Sequence, residues 1–170
     1  MEKKELLRQI FKVIIFSIAF AFVEASVVVY LRHLLGASYS EIGRGETLLP
    51  LPGIAFLQPD TALKVIQDSQ LLNTEMIREG ATLVMLVSVA VLAAKDFKKI
   101  LAFFFLAFGI WDIFYYIFLK LIINWPLGLQ DLDVFFLLPV PWVGPVFVPI
   151  VISFFLVFAS LLYLVRSKKL

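Results

Sequence analysis

Apolar residues along the chain gather into four long runs, and polar, glycine and proline residues gather between them. The first run is Ile10 to Leu31, the third Ile100 to Ile123, and the fourth lies within Val143 to Val165. A helix needs about 20 residues to cross a hydrocarbon core about 30 Å thick, and these three suffice. The second run is less clean, because its uninterrupted part covers only Ala81 to Ala94. Counting back about 20 residues from Ala94 reaches Glu75 and brings Arg78 and Glu79 inside the span. The pattern predicts an all-α polytopic membrane protein, a bundle of four transmembrane helices at 10–31, 75–94, 100–123 and 143–165. Residues 1–170 then form a single transmembrane domain.

The intervening stretches divide by their breakers. Gly36, Gly43, Gly45, Pro50, Pro52, Gly53 and Pro59 predict irregular chain over 36–59. Within PDTALKVIQDSQLL, Asp60 or Thr61 can cap a short helix whose Leu63, Ile66 and Leu71 form an apolar stripe, which suits a helix lying on the membrane surface. Asn73 or Thr74 then caps the second span and leaves Glu75 in its first turn, where the helix dipole favours an anion. In NWPLGLQDLDVFFLLPVPWVGPVFVP, the residues Pro139, Pro141, Pro145 and Pro149 prevent an early helix start. This apolar, aromatic loop is expected to fold back over the mouth of the bundle, with Trp125 and Trp142 in the interfacial belt.

Composition supports the class and narrows the chemistry. The chain is 62% hydrophobic and 16% charged, with 18 phenylalanines and a mean hydropathy of +0.98, well above the roughly half-apolar content of a soluble domain. A net charge of +2 offers nothing to a nucleic acid. The absence of cysteine excludes disulfides, thiolate nucleophiles and iron–sulfur ligation, and His33 as sole histidine leaves haem or zinc little to build on. The basic residues matter by position. They concentrate in MEKKELLRQIFK, in AKDFKK at 94–99 and in RSKKL at 166–170. The positive-inside rule puts these on the cytoplasmic side of a plasma (inner) membrane, with both termini inside and residues 34–74 and 124–142 as two outer loops. The opening run does not read as a cleaved signal peptide, since Glu24 interrupts it and Tyr30, Arg32 and His33 replace the small residues of a cleavage site.

The candidate chemistry lies in the outer half of the spans. A carboxylate at the centre of an apolar helix costs roughly 2.5 to 3.5 kcal/mol on insertion scales, so Glu24 requires an offset. Glu79 and Asp112 fall at similar depth. Asp112, Tyr115, Tyr116 and Lys120 follow spacings of three and four along one stripe, as do Glu75, Glu79 and Thr82 on the second span. Each of three helices thus carries an acid and a base: Glu24 with Arg32, Glu79 with Arg78, Asp112 with Lys120. Complete pairing would make the cluster structural. The functional expectation is a pocket opening outward, lined by Glu24, Glu79 and Asp112 as the reactive acids and roofed by the second outer loop. Glu75, Arg78, Tyr115, Tyr116, Lys120, Arg32 and Trp142 are its binding or tuning groups. Such a pocket would bind or relay a proton or a hard cation; a divalent ion is the metal that oxygen ligands suit. Four spans are few for a complete carrier, which implies a homo-oligomer or a place in a larger membrane complex. The alternatives are a membrane-embedded enzyme using a carboxylic acid as general acid on a lipid-soluble substrate, and a non-catalytic scaffold subunit contacting lipid.

Overall fold

The computed structural model describes residues 3–35, 47–51, 54–58, 66 and 68–167. The molecule is mostly helical, with four helices long and apolar enough to span a membrane. They are α1 (Lys3–Leu35), α2 (Ser69–Ala93), α3 (Phe97–Ile123) and α4 (Phe147–Arg166). The surface helix expected from Asp60 onward falls largely outside the described residues.

Helix limits follow local chemistry. α2 begins six residues before the expected Glu75, because Asp68 and not Asn73 or Thr74 supplies the cap: its carboxylate accepts the Leu71 N–H at 2.8 Å. Asp96 does the same for α3, accepting from Lys99 N at 3.1 Å. Asn124 ends α3 in the left-handed conformation, φ 53°, which asparagine tolerates better than most residues. α4 starts at Phe147, four residues later than expected at Val143. Pro149 then sits in its first turn, where a missing N–H costs no intrahelical bond.

α3 is the central helix and packs on each of the other three. At one end of the bundle Leu6 and Ile10 of α1, Ala93 of α2, Ala102 of α3 and Leu164 of α4 share one core cluster. Small residues let the backbones approach. A Cβ built on Gly109 of α3 would stand 2.7 Å from the Ser153 carbonyl oxygen, so α3 and α4 touch there at backbone distance. Away from these contacts the helices present large apolar side chains outward, including Val84, Leu92, Phe154, Phe155 and Phe158.

The other end is closed by a feature an all-α reading does not contain. Four strands, β1 (Thr47–Leu51), β2 (Ile54–Leu57), β3 (Leu132–Phe136) and β4 (Trp142–Pro145), form one antiparallel sheet in the order β1-β2-β4-β3. The two loops, the first expected to be irregular over 36–59 and the second to fold back over the mouth of the bundle, are joined, Ala55 pairing with Val143 and Phe56 with Trp142. Two prolines sit where a sheet tolerates them, Pro50 on the edge strand and Pro145 at the end of β4. Strand pairing satisfies backbone groups that apolar loops beside a membrane could not leave bare.

Candidate functional site

Beneath the sheet lies a cavity of about 190 Å³ with walls from all four helices and from β3 and β4. Glu24, Glu79 and Asp112 all line it, as do Glu75, Arg78, Tyr115, Tyr116 and Trp142. The four carboxyl side chains among these, Glu24, Glu75, Glu79 and Asp112, are each less than 10% exposed.

The ion pairs differ from those the charges suggested. Arg78 of α2 reaches across to α1, with its Nη1 donating to Glu24 Oε1 at 2.5 Å. Its Nε donates to Glu75 Oε2 at 2.8 Å, and its Nη2 to Glu75 Oε1. One guanidinium thus bridges two helices. Thr82 Oγ1 stands 3.3 Å from Glu24 Oε2 and 3.1 Å from the Arg78 carbonyl, so its single proton serves one of them at a time. Arg32 pairs with Asp133 of β3 at 3.2 Å and stacks over the Trp125 ring at 3.7 Å. Lys120 donates to the Pro126 carbonyl at 2.8 Å, which fastens the end of α3 to the loop beyond it.

Helix geometry explains all three corrections. Glu24 and Arg32 are eight residues apart on one helix, as are Asp112 and Lys120, which separates each pair by about 12 Å along the axis. Arg78 and Glu79 are neighbours in sequence and point to different sides, whereas Glu75 lies one turn away from Arg78 on a shared face.

Glu79 and Asp112 are left with hydrogen-bond donors rather than bases. Glu79 accepts the Leu137 N–H through both oxygens, at 2.9 and 3.1 Å, which ties α2 to the chain leaving β3. Asp112 Oδ2 accepts from Ser153 Oγ of α4 at 2.7 Å. Among the described residues neither forms a salt bridge. Asp133, almost fully buried, also accepts from Tyr116 Oη at 3.0 Å. Burial pushes its carboxyl up to about 6, against the opposing pull of the Arg32 cation and the Tyr116 hydroxyl.

The rest of the wall is aromatic and aliphatic. Trp111 stacks on Tyr115 with ring centroids 6.4 Å apart, and Phe136 meets Trp142 at 6.2 Å. No group of three or more histidine, aspartate or glutamate side chains among the described residues is arranged to hold a metal ion. His33, outside the cavity lining, sits with Nδ1 3.0 Å from the Val29 carbonyl oxygen. Sequence reading passed over Ser153, whose signal was a lone hydroxyl inside the apolar run IVISFFLVF. In the sequence Asp133 is one of two loop aspartates, with Asp131, that could either offer oxygens to an entering cation or simply hydrate the loop, and only the sheet explains its burial. In comparisons with known proteins, no family model, curated protein or solved structure matches the chain.

Proposed function

We propose that the chain is an integral membrane protein whose cavity binds a cation, either a proton or a small ammonium ion, in the outer half of the membrane. Charge balance carries this reading. Five carboxyl groups line the cavity, namely Glu24, Glu75, Glu79, Asp112 and Asp133. Among the described residues two guanidiniums face them, Arg78 in the wall and Arg32 behind Asp133. The effective cost of burying an unpaired ion in protein is several kcal/mol, so the acid in surplus among the described residues calls for a compensating positive charge. Glu79 and Asp112 are the acids assigned to that charge, since Glu24, Glu75 and Asp133 already share the two arginines. An ammonium ion fits better than a hard divalent ion, because the acids are spread around an aromatic wall and not gathered into a ligand cage.

The Lys and Arg distribution supports a sheet on the outer face and both termini in the cytoplasm beneath a plasma membrane. The cavity then draws its cation from the outer face. A second copy of the chain, or a larger membrane complex, is needed for passage across the bilayer, because the cavity lies towards one end of a single four-helix bundle.

The experiment uses the full chain in lipid nanodiscs, titrated with tetramethylammonium in weakly buffered solution. Binding is expected to raise the melting temperature and to release protons detected by an indicator dye. The double variant Glu79→Gln, Asp112→Asn is expected to lose both responses. A wild-type protein that shows neither response, and no protonated-carboxyl infrared band that these substitutions remove, overturns the proposal.

A further inference from the structure

Two buried hydrogen-bond donors in the same cavity are unused. Trp111 and Trp142 line it, and the indole Nε1 of each is buried with no acceptor in reach. Trp111 as a whole is only 5% exposed. An indole N–H donates only, and a buried donor left unsatisfied costs about 1 to 3 kcal/mol. Buried tryptophans usually find a partner for this reason. Here the two donors come from different elements, α3 and β4, in the walls of a cavity also lined by two carboxyl groups that form no salt bridge among the described residues.

We infer that the ligand is an amphiphile with an amino-alcohol head: an ammonium group that Glu79 and Asp112 receive, and an adjoining oxygen that accepts from Trp111 and Trp142. This rests on the cation-binding reading and adds the acceptor oxygen and the hydrocarbon tail. The oxygen follows from the indoles, since an ammonium ion has no lone pair to offer them. The tail follows from Phe108, Val134, Leu137 and Ile152 in the wall and from the size of the space. The space of about 190 Å³ is small beside a whole amphiphile. That is room for a head group, and the remainder of an amphiphile extends between the helices into lipid. The Trp111, Tyr115 and Phe136 rings supply faces for the cation beside the acids.

Three probes of equal chain length separate the parts: 2-aminooctan-1-ol, octan-2-amine and octane-1,2-diol. Each is titrated into wild-type protein in nanodiscs carrying ¹⁵N-labelled tryptophan, whose three indole resonances are assigned with single Trp→Phe variants. The amino alcohol is expected to stabilise the protein and to move the Trp111 and Trp142 signals while leaving Trp125 in place. The amine is expected to bind about five- to tenfold more weakly without moving the two signals, and the diol not to bind. Loss of two hydrogen bonds, each at the lower end of its net worth, accounts for that factor. Equal affinity for amine and amino alcohol, with still indole resonances, overturns the amino-alcohol assignment and leaves cation binding standing. Failure of both amines to bind overturns the amino-alcohol assignment together with the ammonium branch of the cation reading. Diol binding as tight as that of the amino alcohol removes the ammonium from the assignment. The decisive comparison is made on the unaltered chain, so it survives any variant that fails to fold.

Discussion

Arg78 holds together two helices that otherwise touch only lightly, because its guanidinium forks between Glu24 of α1 and Glu75 of α2. Removing the fork leaves two buried carboxylates without their base, whereas removing one tine leaves the other. Arg78→Met is therefore expected to lower stability by about 3 to 5 kcal/mol. Glu24→Gln should cost less, about 1.5 to 3 kcal/mol for one charged hydrogen bond. Melting curves in nanodiscs rank the two, and an equal loss for both would contradict the fork. Asp133 makes a prediction of opposite character. Its folded-state pKa, near 6, lies above the unfolded value near 4. The folded protein therefore holds this proton more tightly, and the resulting stability is complete below about pH 4 and lost as pH rises through 6. The melting temperature of the wild type is expected to fall more steeply between pH 4 and 6 than that of Asp133→Asn; parallel curves would show that Asp133 titrates normally. At this scale the sequence revealed the acids that line the cavity, because an ionisable residue in an apolar run stands out. It did not reveal their partners. Those depend on contacts across the fold, such as Asp112 with Ser153 and Glu79 with Leu137, which spacing along one helix cannot show.

At the scale of elements, the helices were legible because hydropathy over about 20 residues reads the thickness of a bilayer. The start of α2 was not, since Asp68 caps a polar first turn and a second run of capping residues follows at Asn73 and Thr74. The sheet was hidden by its own composition. Its strands are only four or five residues long and carry proline in two of the four, so no alternation long enough to read survives. The pairing of β2 with β4 is directly testable in a chain that has no cysteine of its own. Ala55→Cys with Val143→Cys is expected to form a disulfide under mild oxidation, because facing residues of an antiparallel pair stand about 4.5 to 5.5 Å apart at Cα, within the range of an unstrained disulfide. A pair that stays reduced while other cysteine pairs in the sheet oxidise would refute the register.

For the whole molecule, the arrangement gathers buried carboxyl groups at one end of an apolar bundle and covers that end with strands. Its membrane sidedness is checked by impermeant maleimide on sealed, right-side-out vesicles. Gly128→Cys is expected to label and Lys98→Cys to label only after permeabilisation; the reverse pattern would invert the topology and turn the cavity towards the cytoplasm. The order of the strands also has a bearing on synthesis. β2 precedes α2 in the chain, but its partner β4 is made only after α3, and the Ser153 that meets Asp112 comes later still. Three helices and one hairpin can thus leave the ribosome with nothing over the acids. The site comes into being in the last stretch of translation, so a chain stopped after Ile123 is expected to insert and yet to have no chamber at all.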